Sequence, residues 1–325
     1  MSRLAVVQTP PVFLNRAQTL EKAVASVREA AQEGARLIVF PEAFVSGYPA
    51  WIWRLRPGGD MALTEKLHSL LRASSVDLSG EDLAPLSQAA KREKVAVVCG
   101  LHERDPAFGG GTLYNTVVVI GPDGAILNRH RKLMPTNPER MVWGLGDASG
   151  LKAVETPCGR IGVMICWESY MPLARYALYA QGVDIYVTPT YDSGERCVAT
   201  MQHIAREGGC WVVSSGCAFR AQDIPDAVPG KAELFPKPDE WVNPGDSVIV
   251  APGGKIAAGP MHEEFGILYA DIDLARVGMA RRSLDVVGHY ARPDLFQLHV
   301  NTKPRRPVEF ADSRGMSDSA EREME

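Results

Sequence analysis

The sequence of 325 residues lacks several features that would assign it directly to a class. It contains no run of about 18 uncharged apolar residues, the length that a membrane-spanning helix needs. No basic segment followed by an apolar one opens the chain, so no secretory signal is predicted. The formal net charge is only -4, which gives no electrostatic reason to expect binding to nucleic acid or to an anionic membrane. We therefore expect a cytoplasmic protein with neither kind of partner.

Cysteine is also scarce. The six cysteines form no CxxC pair and do not lie at zinc-finger spacing from a histidine. Several lie in apolar runs such as VVCG at residues 97–100. A chain of this length can bury a large core, so it needs neither a disulfide nor a metal to stabilise it. We predict reduced, mostly buried thiols.

Apolar runs of strand length alternate with helical patterns along the chain. The main predicted strands are 4–8, 36–40, 95–101, 161–165, 183–187 and 211–214, and the main predicted helices are 15–33, 83–93, 172–181 and 197–208. Turn sequences at 121–124 and 251–254 predict two β-hairpins, so the sheets should be mixed rather than all-parallel. The composition changes only near residue 300. We predict one domain over residues 1–300 and a charged, disordered tail over residues 301–325.

Three polar side chains follow predicted strands directly. Glu42 lies just beyond the apolar segment 36–40, after a proline that cannot continue a central strand. Lys132 follows the second strand of the first hairpin, and Cys166 follows the strand 161–165. Taken singly, each has an ordinary explanation: a solvated carboxylate, a surface lysine in a basic run, and a buried core thiol.

The combination of these three groups favours a catalytic role over the ordinary explanations. A thiol needs a base or a positive field to become a useful nucleophile near neutral pH. A partly buried carboxylate close to a lysine can be that base, and the lysine can donate a hydrogen bond to charge that develops on a substrate. His130 is the alternative base, because cysteine proteases normally use histidine.

The motifs around these residues resemble those of the nitrilase superfamily, the carbon–nitrogen hydrolases with a Glu-Lys-Cys triad. They are FPEAF at 40–44 with GYP at 47–49, HRKLMPT at 130–136, and GVMICWE at 162–168. The resemblance extends from about Leu4 to about Leu298. It implies an α/β fold, a four-layer αββα sandwich with two mixed β-sheets. It also implies no metal, no organic cofactor, and homo-oligomers of two-fold dimers that often extend into spirals.

The residues that follow the cysteine separate branches of the superfamily. Cys166-Trp167-Glu168 is similar to the nitrilases proper, whereas amidase-like and carbamoylase-like branches usually have Cys-Tyr-Asp. The segment 138–147 (PERMVWGLGD) is also similar to the nitrilase form. The resemblance therefore implies hydrolysis of a small organic nitrile to the carboxylic acid and ammonia. An amidase, a carbamoylase or a cyanide-hydrolysing enzyme is the alternative.

The resemblance also implies residue roles. Glu42 is the base, Cys166 is the nucleophile that forms a thioimidate and then a thioester, and Lys132 stabilises negative charge. Glu139 matches a second acidic residue, which orients Lys132 and water; a surface pairing with Arg140 is its alternative.

We expect a largely apolar substrate pocket walled by residues in or beside the matching motifs. The candidates are Tyr48, Thr136, Trp143, Trp167, Pro189 and Tyr191, and core packing is the alternative for each aromatic side chain. The polar turn 192–195 is expected at the pocket mouth. Trp51-Ile52-Trp53 is interpreted as a buried or interface strip, and Glu168 as a structural partner for backbone N–H groups.

Overall fold

Strands and helices alternate along the chain, as the hydrophobic pattern predicts. The computed structural model describes residues 1–106, 109–305 and 308, so most of the predicted tail over 301–325 lies outside the described residues. The strands are β1 (Ser2–Gln8), β2 (Ala35–Val39), β3 (Ala96–Arg104), β4 (Leu113–Ile120), β5 (Ile126–Arg131), β6 (Val154–Thr156), β7 (Gly159–Val163), β8 (Ile185–Thr190), β9 (Trp211–Gly216), β10 (Ala218–Arg220), β11 (Trp241–Val250), β12 (Ile256–His262) and β13 (Gly266–Ile272). The helices are α1 (Arg16–Gln32), α2 (Met61–Ala73), α3 (Ala84–Glu93), α4 (Pro172–Tyr179), α5 (Glu195–Glu207), α6 (Lys231–Leu234) and α7 (Ala275–Ser283).

The strands form two mixed sheets, as predicted. The first sheet has the order β13-β1-β2-β3-β4-β5, in which β1, β2 and β3 are parallel and the other neighbours antiparallel. The second has the order β10-β11-β9-β8-β7-β6, with β12 paired to β11, and its parallel strands are β7, β8 and β9. Both predicted hairpins are present, as β4–β5 and β11–β12.

The two sheets pack face to face between two layers of helices. Alternate residues of each strand point to opposite faces. In β1, Leu4 and Val6 point into the core between the sheets, where they join Ile161 and Val213 of the second sheet. Ala5 and Val7 point outwards and pack against α1 and α3. The helices α4 and α5 cover the outer face of the second sheet. The four-layer αββα sandwich is therefore confirmed.

None of the helices in the described part of the chain has both the length and the hydrophobicity that crossing a membrane requires. The six cysteines are all free and buried, as predicted from the sequence.

The segment that leaves β2 passes very close to Gly100 of β3. Phe40 N donates to Val98 O at 2.8 Å, and Val45 N donates to Gly100 O at 3.0 Å. A Cβ atom at Gly100 would lie only 2.3 Å from the carbonyl oxygen of Pro41 and 2.8 Å from Cα of Glu42. Only glycine therefore lets the segment that carries Glu42 lie against this sheet.

We expect Gly100→Ala to lower the free energy of unfolding by about 1–3 kcal/mol, because the added methyl group must displace backbone atoms rather than a flexible side chain. The measurement is urea denaturation followed by circular dichroism. Gly278→Ala is the matched control: it lies within α7 with no atom near its Cβ position, and should leave stability unchanged or raise it. Equal stability of the two variants would contradict the prediction.

Candidate active site

Cys166 lies in a tight turn after β7. The sequence pattern extended this strand to Ile165, but it ends at Val163; the expected boundary was wrong because the chain turns toward α4 earlier. Met164 N still donates to Val187 O at 3.1 Å, and a 3₁₀ turn then covers Cys166–Tyr170. Cys166 has φ +54°, which is uncommon for a residue other than glycine. Its thiol is thus presented on a strained strand-to-helix turn, the local geometry of a nucleophile elbow.

Lys132 directly follows β5, and its ammonium group is buried between two carboxylates. Nζ donates to Oε1 of Glu42 at 2.7 Å and to Oε2 of Glu139 at 2.7 Å. All three side chains are at most 1% exposed. The ordinary explanations of a surface lysine and a solvated glutamate therefore do not apply to this chain.

Donors from three further segments fix Glu42. Nδ2 of Asn115 in β4 donates to Oε1 at 2.7 Å, and the backbone N–H of Tyr191 donates to Oε2 at 2.7 Å. The thiol of Cys217 lies 3.3 Å from the carbonyl oxygen of Glu42. The carboxylate is thus held in one orientation although it is fully buried.

Glu139 is fixed in a similar way. The phenol of Tyr48 donates to Oε1 at 2.7 Å, and the backbone N–H of Thr136 donates to Oε2 at 2.7 Å. Nε1 of Trp53 donates to the Tyr48 oxygen at 3.0 Å, so the single phenolic proton is directed to Glu139. The alternative pairing with Arg140 is not formed, since the guanidinium Nε of Arg140 donates to the carbonyl of Pro135.

Burial and mutual charge set the protonation of these groups. Burial raises the pKa of Glu42, and the charge of Lys132 offsets only part of this effect. Burial acts to lower the pKa of Lys132, but the charges of Glu42, Cys166 and Glu139 outweigh it and raise the pKa above its ordinary value. Burial, followed by the charge of Glu42, raises the pKa of Cys166 well above that of a free thiol. The resting cysteine is therefore a thiol at neutral pH, and it could act as a nucleophile only if a base took its proton.

A cavity of about 280 Å³ opens beside Cys166. Four of the predicted pocket residues line it together with Cys166 and Glu139: they are Tyr48, Thr136, Trp167 and Tyr191. The rings of Tyr48 and Tyr191 stack with centroids 3.7 Å apart and an interplanar angle of 7°. The polar turn also reaches the cavity, through Asp192 and Ser193.

Two predicted pocket residues do not line this cavity. Trp143 packs against the edge of the Tyr48 ring, with centroids 5.7 Å apart, and donates through Nε1 to Nδ1 of buried His102 at 3.0 Å. Pro189 lies within β8, where it is opposite Ser215 of β9. Both side chains are buried behind residues that line the cavity or within the sheet.

Sequence patterns missed several residues of the site. Trp53, Val242 and Asn243 line the cavity, and Asn115 bonds Glu42. Trp53 was predicted only as part of a buried or interface strip, but its side chain is partly exposed and lines the cavity. The other three carry no local signal, because their positions depend on how distant strands pair.

The chain belongs to the carbon–nitrogen hydrolase family, whose match extends over residues 3–282. Within that family it falls in the nitrilase branch. It is 42% identical over 315 residues to the bifunctional nitrilase/nitrile hydratase NIT4A of Lupinus angustifolius, covering 96% of this chain and 89% of that relative. It is 41% identical to an aliphatic nitrilase of Sinorhizobium fredii, covering 94% and 97%. The fold matches the crystal structure of a carbon–nitrogen hydrolase from Helicobacter pylori G27 with a TM-score of 0.69 and 22% identity, covering 91% and 96%.

We expect Lys132→Met to lower the free energy of unfolding by about 3–5 kcal/mol at pH 8, because it leaves two buried carboxylates without a counter-charge. Lys132 lowers the pKa of Glu42, so its removal raises that pKa further. A carboxyl group whose pKa is higher in the folded than in the unfolded state stabilises the protein at low pH, and this contribution is lost as the pH rises. The variant should therefore regain stability when the pH is lowered from 8 to 5.

Thermal and urea unfolding of Lys132→Met at both pH values would measure this effect. Lys91→Met, at an exposed lysine of α3, is the matched control and should behave like the wild type. A stability difference between Lys132→Met and the wild type that stays the same at pH 8 and pH 5 would rule out the charge explanation.

Proposed function

We propose that the protein is a nitrilase, which hydrolyses an organic nitrile to the carboxylic acid and ammonia. The observation that carries this proposal is the thiol of Cys166, presented on a strained turn at a cavity beside the buried Glu42–Lys132–Glu139 cluster. The similarity to named nitrilases over nearly the whole chain supports the choice of a nitrile over other carbon–nitrogen bonds. Residues 1–300 would form the single catalytic domain.

In the proposed first half of the reaction, Glu42 takes the proton of Cys166 while sulfur bonds to the nitrile carbon. One π-electron pair moves to nitrogen, which takes up the proton from Glu42, and a covalent thioimidate results. Lys132 and the backbone N–H of Trp167 stabilise the charge that develops on nitrogen. Splitting the hydrolysis into covalent steps suits a bond that water attacks very slowly.

In the second half, water activated by Glu42 adds to the thioimidate carbon. Cleavage of the carbon–nitrogen bond releases ammonia and leaves a thioester, which a second water hydrolyses to the acid and the free thiol. Glu139 orients Lys132 and water. The two waters and one nitrile thus become one acid and one ammonia, with the cysteine restored.

The tetrahedral adduct can also break at its carbon–sulfur bond, and the product is then the amide. The relative from Lupinus angustifolius is named as both a nitrilase and a nitrile hydratase. We therefore propose the amide as a minor second product of this site. Amidase or carbamoylase activity on the same scaffold and hydrolysis of cyanide are the rival activities.

The proposal predicts that purified protein releases ammonia and acid from at least one member of a panel of aliphatic, aryl and arylacetonitriles, tested beside their amides and cyanide. Cys166→Ala should abolish the release, because Cys166 is the one thiol among the described residues that line the cavity. Cys210→Ala, at a buried thiol beneath α5, is the matched control and should keep it. Faster turnover of amides or cyanide than of every nitrile would contradict the nitrilase assignment, and activity in Cys166→Ala would contradict the nucleophile.

We further propose that the protein forms homo-oligomers built from two-fold dimers that can extend to spirals. The face next to the cysteine turn supports a second copy of the chain as the partner: Leu173 of α4 is 65% exposed, and Tyr170 and Trp167 beside it are 44% and 47% exposed. Apolar side chains of this size grouped on one face are typical of an interaction surface. We propose the cytoplasm as its compartment, on the basis of its six free thiols.

Size-exclusion chromatography with light scattering should therefore give a mass at least twice the 35.4 kDa of one chain. Leu173→Glu should lower that mass, because it places a charge in the proposed interface. Ile126→Glu alters an exposed apolar residue at the start of β5 and should not. A monomeric wild-type protein would defeat this proposal.

A further inference from the structure

Glu168, two residues after Cys166, is a fully buried carboxylate outside the Glu42–Lys132–Glu139 cluster. Its two oxygens accept hydrogen bonds from two different segments. Oε2 accepts from the backbone N–H of Ile165 at 2.5 Å, and Oε1 accepts from the backbone N–H of Leu133 at 2.6 Å. Ile165 immediately precedes Cys166, and Leu133 immediately follows Lys132. The predicted role of Glu168 as a partner for backbone N–H groups is thus confirmed, and its contacts reach further than the turn itself.

His130 of β5 completes the surroundings of this carboxylate. Its Nε2 lies 2.9 Å from Oε2 and 3.1 Å from Oε1 of Glu168. Because Nε2 faces carboxylate oxygens, it carries the ring proton. The opposite nitrogen, Nδ1, has no hydrogen-bond partner among the described residues. His130 therefore contacts Glu168 through a single N–H and is committed to it rather than to the thiol.

The two backbone N–H groups that donate hydrogen bonds to Glu168 each lie just beyond the end of a strand. β7 ends at Val163 and β5 ends at Arg131, so the sheet no longer pairs the N–H groups of Ile165 and Leu133. A buried N–H without a partner is costly. The strained φ of Cys166 also persists only where the surroundings hold it. One carboxylate thus satisfies both strand ends and ties the segment that carries the thiol to the segment that carries the lysine.

We infer that Glu168, oriented by His130, is a positioning residue that fixes the Cys166 turn relative to Lys132. It does so through the backbone on either side of the two reacting groups and touches neither. The inference rests on the proposed function for its kinetic consequence, since it concerns how Cys166 and Lys132 meet one nitrile group.

Glu168→Gln separates positioning from simple charge loss. The amide has the same shape but keeps only one accepting oxygen, so its NH₂ group must face either the N–H of Ile165 or that of Leu133. One of the two segments is then released. Because small misplacements of reacting groups are costly, we expect kcat to fall by about 10- to 100-fold with little change in KM.

The alkylation of Cys166 by iodoacetamide gives a readout that does not depend on nitrile turnover. In Glu168→Gln the cysteine turn is no longer tied to the segment that follows Lys132, so alkylation of the thiol, followed by mass spectrometry of its peptide, should become faster. The other five buried cysteines should stay as protected as in the wild type, which distinguishes a local release from general unfolding.

Asp184→Asn is the matched control. Asp184 accepts a hydrogen bond from the backbone N–H of Arg160 at 2.9 Å. Arg160 lies at the start of β7, whereas Cys166 follows its end. The asparagine makes the same acid-to-amide change but keeps an oxygen for this single N–H, so kcat and the Cys166 alkylation rate should stay at the wild-type values.

The role of His130 is tested by a pair of variants. His130→Gln keeps an N–H donor toward Glu168 and should retain most of the wild-type kcat. His130→Leu removes the donor and should reproduce part of the loss seen in Glu168→Gln.

Wild-type kcat and wild-type alkylation in Glu168→Gln would overturn the inference, and so would a loss of activity in which all six cysteines become reactive together. A wild-type protein that hydrolyses no nitrile would defeat the proposed function instead, and the alkylation rates would still decide whether Glu168 holds the turn.

Discussion

The buried ammonium of Lys132 is the constraint on which the site depends. A cation that is buried away from solvent is stable only beside negative charge, and Glu42 and Glu139 supply that charge on either side of it. Each carboxylate in turn needs further donors: Glu42 accepts from Asn115 in β4 and from the backbone just after β8, and Glu139 accepts from Tyr48 and from the backbone of Thr136. Satisfying one charge thus joins both sheets at the edge where β2, β5 and β7 end. The fold and the site are therefore specified by the same set of contacts.

The same cluster explains why a cysteine can be kept inactive until substrate arrives. Burial and the charges of the two carboxylates oppose the formation of a thiolate more strongly than the ammonium of Lys132 favours it, so the pKa of Cys166 is raised. The thiol is consequently protected from chance oxidation or alkylation. In the proposed mechanism, deprotonation coincides with attack, and the new negative charge moves from sulfur to the substrate nitrogen and toward Lys132. Reactivity is thereby linked to occupancy of the cavity.

Much of this could be predicted from the sequence, because the motifs combine a regular hydrophobic period with polar residues at strand ends. The strands before Glu42 and Lys132 end close to the predicted places, and the two hairpins revealed that the sheets are mixed. The predicted end of β7 was wrong because the apolar residues Met164 and Ile165 continue the sequence pattern of a strand after its hydrogen-bond ladder has stopped. Partners such as Asn115 could not be predicted, since their proximity depends on register between β3, β4 and β5. Trp143 and Pro189 lie in or beside the matching motifs, but their side chains are buried behind the cavity wall or within the sheet and do not line the cavity.

The stacked rings of Tyr48 and Tyr191 have a consequence for substrate choice. The backbone N–H of Tyr191 bonds Glu42, and the phenol of Tyr48 bonds Glu139, so the pair joins the cavity wall to both carboxylates. A substituent that presses on either ring would displace a group that is bonded to Glu42 or to Glu139. Discrimination among substrates is then expressed in turnover as well as in affinity. Redesigning this wall for a larger substrate would require compensating changes deeper in the protein. The rings that contact the substrate are bonded to the buried carboxylates, so a change in one shifts the other.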